Sequence, residues 1–446
     1  MNPGPPGAPK TPREQRAESG APQAAPIPAL ARWHFRWLLA APHRLAFFGA
    51  GVMFSASALW WLGVLWSRLD GWPVLWRVSP VLAHSLLMTF GFTPLFFSGF
   101  LFTAGPKWLA QPEQQASALL PTVGAALAGW TLFVLGVNRS ATLAAIGLAV
   151  VAAGWGLFTL RLWRLVRTSR ARDRTHPRWV GAACTIGAFA MWTAAASLAA
   201  EREDIARAAV QLGLWGFVAL VFATVAHRMI PFFGDGGLAR LDLRWPAWLL
   251  WVFGATLGLQ AIFGIIDALA GPPGAGAHAL RAALEAPSAL LLVVLALRWV
   301  AIPKLRIPLR QRLPRMMYIG FAWFAVALTM ATVSDALAAF SGGSVTLGLA
   351  PLHAMTMGFL ASVLLAMASR VACGHSGRSL VADALLWSVF WLLQAAVLAR
   401  LASALWPALP PFVLMFAALA WAGVATAWAL RYGRWFGLPR SDGHPG

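Results

Sequence analysis

Leu349 to Arg378 reads LAPLHAMTMGFLASVLLAMASRVACGHSGR. The run is apolar over the length of a membrane-crossing helix and carries a histidine near each end, His353 and His375. His353, Met357, Leu360, Leu364 and Met367 recur at helical spacing, which predicts one face bearing an imidazole, two thioethers and aliphatic carbon. At 1.5 Å per residue the two histidines stand about 33 Å apart, the thickness of a bilayer's hydrocarbon core. They belong to different sites on opposite sides of a membrane.

Composition extends this reading to the whole chain. Of 446 residues, 59% are hydrophobic and only 11% charged, and the mean hydropathy is +0.67. Soluble domains carry about a quarter charged residues, so the fold class is all-α, a polytopic membrane helix bundle. The formal charge of +20 is carried by residues flanking apolar spans, which marks membrane topology and lipid contact and argues against nucleic acid. Two cysteines, Cys184 and Cys373, suggest no disulfide framework.

Residues 1–31 are rich in Pro, Ala and Gly and read as a disordered cytoplasmic tail. The transmembrane domain is expected over 32–436 and a short C-terminal tail over 437–446. Spans are expected at 45–66, 80–104, 116–136, 141–160, 179–199, 208–230, 246–269, 280–300, 315–338, 346–372, 380–404 and 411–430. With the N-terminus inside, 28 of the 35 Lys and Arg fall in the tails and inside loops. That asymmetry supports twelve spans with both termini cytoplasmic. The basic runs RLWRLVRTSRARDRTHPR and IPKLRIPLRQRLPR read as anchors on anionic lipid, and His176, in the first, as a solvated loop residue. No internal repeat is visible.

On this topology the second and tenth spans run in the same direction, and His84 and His353 lie at comparable depth near the outer face. Each precedes a methionine by four residues, Met88 and Met357, on the same face of a regular helix. Gly91 and Gly358 follow, where a flat cofactor or a neighbouring helix could approach closely. Intramembrane histidines are functional candidates, and axial ligation of haem iron is the chemistry that best uses such a pair. The plainer alternative is that each hydrogen-bonds across helices. Arg68 and Arg77 are candidates to neutralise haem propionates.

On the inner side, His227 ends the sixth span beside Arg228, and His375 follows Cys373 in a C-x-H triplet that could supply two metal ligands. An interfacial turn ended by Gly374 and Gly377, with Arg378 at the lipid surface, is the structural alternative. Asp267, Asp335 and Glu285 lie near outer ends of spans, where solvation or proton access would account for them. His34, His43, His278 and His444 fall in expected tails or loops and carry no assignment.

The segments AHSLLMTFGFTPLFFSGFLFTAGPKWL (83–109), FATVAHRMIPFF (222–233) and LHAMTMGFLASVLLAMASRVACGHSGR (352–378) resemble the NnrS family. The tenth-span block is the most specific, with His353 at its start and Met367, Arg370, Gly374, His375, Ser376, Gly377 and Arg378 at its end. In the second span His84 and Met88 match, while Leu86 and Leu87 stand where the family shows His and Glu. The resemblance implies a twelve-span protein of the bacterial inner membrane, containing haem, b-type here, and copper, and concerned with nitric oxide and nitrosative stress or denitrification. His84 and His353 are then the expected iron ligands, with Met88, Met357 and Arg370 at the cofactor and His375 and His227 as further metal ligands. Neither an electron donor nor a catalytic residue is legible. A haem–copper oxidase or nitric-oxide reductase core would need histidines in the seventh span, which has none. A secondary transporter of a small anion or metal complex is the rival from another class, and it predicts two similar halves.

Overall fold

The computed structural model describes residues 32–234, 245–301 and 310–443. The expected tail at 1–31, part of the second basic run and His444 lie outside these residues. Twelve helices are long and apolar enough to cross a membrane: α1 Pro42–Leu69, α2 Pro80–Trp108, α3 Ala116–Arg139, α4 Ala141–Thr168, α5 Thr175–Ala199, α6 Glu203–Met229, α7 Ala247–Ala270, α8 Ala275–Arg298, α9 Arg312–Phe340, α10 Ala350–His375, α11 Ala384–Leu405 and α12 Pro411–Phe436. The described residues contain no strand. Proline opens α1, α2 and α12, where a missing N–H costs nothing. Ser140 caps α4 and Asp383 caps α11 through their side-chain oxygens.

The helices are not equivalent. The apolar windows of α2, α6 and α10 are 83, 89 and 72% buried, and no other exceeds 56%. Every fourth helix is therefore central, and the other nine surround these three. α1 packs on α12, and their loop ends meet where Arg44 donates to the Leu438 carbonyl at 2.8 Å and His34 N–H to Gly437. Both ends of the described bundle thus share one face. The expected tail begins with a docked segment: Ser441 bonds the Ser376 and Gly377 carbonyls at the end of α10.

Each central helix also contains a π-helical segment, Leu87–Gly91 in α2, Leu212–Ala219 in α6 and Ala354–Leu360 in α10. Such wide turns concentrate at functional sites and rotate everything beyond them on the helix. In α2 the cause is visible. Pro94 has no N–H for the carbonyl four residues back, and the chain departs from helical geometry at Phe92 (φ −121°). The Thr93 hydroxyl donates to the Thr89 carbonyl at 2.6 Å, pairing one of the backbone groups exposed by the break. A π segment thus recurs in every fourth helix, a regularity with no trace in the sequence.

Close packing rather than hydrophobicity must join helices in lipid, since tails are as apolar as side chains. Phe97 of α2 meets Phe222 of α6 at 5.3 Å between ring centroids, and Phe222 meets Phe359 of α10 at 6.5 Å. At the α3–α4 hairpin, a Cβ on either Gly129 or Gly147 would lie 2.5 Å from the other's carbonyl oxygen, so backbone touches backbone. Polar glue is sparse: Gln394 of α11 donates to Ser362, and Trp428 of α12 to Ser369, pinning α10.

Within the π segment of α6, a Cβ on Gly213 would lie 2.1 Å from the ring of Phe90, itself 1% exposed in the π segment of α2. Gly213→Ala should therefore cost about 1–3 kcal/mol through overpacking, read as a lower unfolding midpoint in detergent. Phe90→Leu in the same chain should restore part of the loss.

Candidate functional site

The two imidazoles expected to pair stand at the same end of the bundle, each in the opening turns of a central helix. His84 lies in the first turns of α2 and stacks on Trp61 of α1, with ring centroids 3.9 Å apart and planes 25° apart. Its Nδ1 is buried and has no hydrogen-bond partner. His353 lies in the first turn of α10, and its Nδ1 is 2.9 Å from the Leu349 carbonyl. A carbonyl only accepts, so Nδ1 carries the proton and Nε2 keeps its lone pair. Metal-ligating histidines are commonly held in this way. Arg400 of α11 is the cation whose charge acts on both imidazoles.

Arg400 was not legible as a site residue, because on sequence it is one more basic residue flanking a span. Among the described residues no carboxylate forms an ion pair with it. Arg68 lies over Trp61, 6.0 Å from the ring centroid, and so stands one ring away from His84. Arg77 is exposed.

Met88 and Met357 fall inside the π segments and pack against the apolar core. Gly91 and Gly358 admit neighbouring side chains: a Cβ at Gly91 would meet Ser57 Oγ at 3.1 Å, and one at Gly358 the Trp323 ring at 2.7 Å. Leu86 and Leu87 are 0% and 1% exposed, so the positions where the family shows His and Glu are apolar core here.

The opposite end holds two further imidazole pairs. His43, in the first turn of α1 and 1% exposed, packs its ring 4.5 Å from that of His375. Thr103 Oγ1 gives its one proton to the Gly99 carbonyl and sits 3.4 Å from His43 Nδ1, so His43 donates there. His176 is not a solvated loop residue: it lies in the first turn of α5, half-buried, with Nε2 3.0 Å from His227 Nδ1. His227 Nε2 donates to the Pro246 carbonyl at 3.2 Å, so a neutral His227 accepts from His176. Both nitrogens of His227 are thereby engaged, which leaves none for a metal.

Cys373 packs beside Tyr432 and Arg431, whereas His375 faces His43, so the C-x-H triplet does not converge on one point. Among the described residues no three His, Cys, Asp or Glu side chains gather as metal ligands. The GHSGR end of α10 is a helix-terminating turn. Gly377 is left-handed (φ +73°), and the Arg378 guanidinium lies 4.2 Å from the Trp435 ring centroid. Just outside α11, the Arg431 guanidinium bonds both Asp383 oxygens and holds that carboxyl below its usual range. A cavity of about 530 Å³ opens beside this end, lined by Lys107, Glu113, Met367, Arg370, His375 and Arg440, among others. Arg370 thus lies at the opposite end from His84.

Removing His176 would leave His227 Nδ1 buried without its donor. His176→Ala should lower stability by about 1–3 kcal/mol, measured by thermal unfolding, while Arg172→Ala in the exposed loop beside it should change little.

No curated protein matches this chain. The family model described as NnrS protein matches residues 37–440, which takes in all twelve helices and both ends of the bundle. The chain belongs to the NnrS family, a nitric-oxide-related family of multi-pass membrane proteins.

Proposed function

We propose that this protein binds one haem between α2 and α10 and uses it in handling nitric oxide, protecting the cell from nitrosative stress. The observation that carries the reading is that His84 and His353 open two buried helices at the same end of the bundle, each with a ring nitrogen left for a ligand. The fit is favourable on three counts. His84 Nδ1 is a buried polar atom with no protein partner, and buried polar groups ordinarily have one. The bond to Leu349 fixes the tautomer of His353. Arg400 offers a guanidinium to an anionic edge such as a propionate.

When bound, haem would be held by His84 and His353 and would supply redox-active iron for reaction with nitric oxide. The chain's own residues do the rest. Trp61 holds the plane of His84 by stacking, and Leu82, Leu86 and Leu87, all under 3% exposed, keep water from that side of the ring. The wide turns after His84 and His353 set the direction in which the remainder of each helix leaves the site. The described residues do not fit copper: the donors near His375 and His227 occur in pairs, and those of His227 are already bonded.

The Lys and Arg asymmetry supports an inner-membrane orientation with both termini on the cytoplasmic side and the His84 end of the bundle periplasmic. A second reading, transport of a small anion, draws support from the cavity bearing Lys107, Arg370 and Arg440. It is disfavoured by architecture, because the π segments recur in every fourth helix rather than marking two halves.

Purified protein should show a haem absorption spectrum with about one haem per chain. His84→Ala and His353→Ala should each abolish the low-spin features, while His227→Ala and His375→Ala should retain them. Colourless wild-type protein reconstituted with haem, or spectra unchanged in both histidine variants, would remove the proposal.

A further inference from the structure

A second polar centre lies in the membrane region between α7, α8 and α9. His278, Arg281 and Glu285 follow one another along one face of α8 at spacings of three and four. Arg281, 8% exposed, makes two bonds to Asp267 of α7, at 2.8 and 2.6 Å. His278 Nδ1 is 2.5 Å from Asp335 of α9. Glu285 is the deepest, 3% exposed and ten residues, or about 15 Å, inside the start of α8. Its Oε1 accepts from Gln260 of α7 at 2.7 Å, and its Oε2 has no hydrogen-bond donor.

Charge counting isolates Glu285. Arg281 is bonded to Asp267 and His278 to Asp335, so an ionised Glu285 would be a buried charge with no cation bonded to it, which apolar helices tolerate poorly. Thr332 of α9 lies alongside, and its hydroxyl also reaches the Leu328 carbonyl at 3.0 Å. When that hydroxyl bonds Leu328, its oxygen is free to accept from an O–H on Glu285, so the site accommodates a carboxylic acid. Exposure falls along the cluster, from 40% for the Asp267 side chain, through 12% and 16% for His278 and Asp335, to Glu285. That gradient leads from the loop end inward.

We propose that Glu285 is a proton-binding site that exchanges its proton with the outside through the His278–Asp335 pair. In release the Glu285 O–H gives up one proton, which passes along Asp335 and the hydrogen-bonded His278 to water outside and leaves Glu285 a carboxylate; uptake returns one proton from water along the same line. The charged groups around Glu285 are Asp267 from α7, His278 and Arg281 from α8, and Asp335 from α9. None of them belongs to the histidine sites above.

Infrared spectroscopy of the full chain in liposomes tests this without reference to haem. The expected result is a carboxylic-acid C=O band at neutral pH that shifts in deuterium oxide and is lost in Glu285→Gln. Should Glu285→Gln fail to assemble, Glu285→Asp keeps the acid and should displace the band. Deuterium exchange of the band should slow in His278→Gln and in Asp335→Asn. A wild-type chain with no such band, or a band unmoved in both Glu285 variants, would overturn the proton site. An exchange rate unaffected by the His278 and Asp335 variants would overturn the route.

Discussion

Contact among three buried helices is the constraint on which this protein depends. In lipid no water is released when apolar helices meet, so α2, α6 and α10 must be held by close fit. The rings of Phe97, Phe222 and Phe359 link the three, and the Phe90 ring fills the space left by the missing side chain of Gly213. A packed interior resists small displacements, so the histidines carried by α2 and α10 are placed with the helices that bear them. The wide turns strengthen the dependence. His84 and His353 each stand just before a π segment, and the part of the helix beyond it is rotated away from where regular geometry would put it.

The chemistry divides between the two faces of the bundle. At one end a pair of imidazoles with available nitrogens is backed by Trp61 and Arg400. At the other, histidines are tied to each other, to Thr103 or to a carbonyl, beside a cavity with cationic lining. The same residue type thus serves as a candidate ligand in one place and as a structural bond in another. The neighbours of each ring nitrogen decide which. The acidic cluster of α7, α8 and α9 is a third centre, built on outer helices rather than on the central three.

Much of the fold was legible because twelve apolar runs separated by basic loops leave few other solutions in a bilayer. The centrality of every fourth helix was not, since lipid-facing and core-facing positions are equally apolar. Wide turns leave no compositional trace either. Three histidines were misplaced for one reason. His43, His176 and His278 lie in first turns of α1, α5 and α8, which begin at 42, 175 and 275, whereas hydropathy alone starts those spans three to five residues later. That His84 and His353 stand at the same end of the bundle was legible because depth can be counted along parallel spans. Arg400 was missed because a charge at a span end reads as a topology marker. Met88 and Met357 fall in π segments that the sequence did not reveal.

The central claim is that His84 and His353 approach each other across α2 and α10. Cysteines placed at both positions, in a chain lacking Cys184 and Cys373, can be treated with a short bifunctional thiol reagent in native membranes. Cysteines at 43 and 375, whose native rings lie 4.5 Å apart, provide the control. The account predicts an intramolecular cross-link at 84–353 as at 43–375. A cross-link at the control pair alone would contradict it.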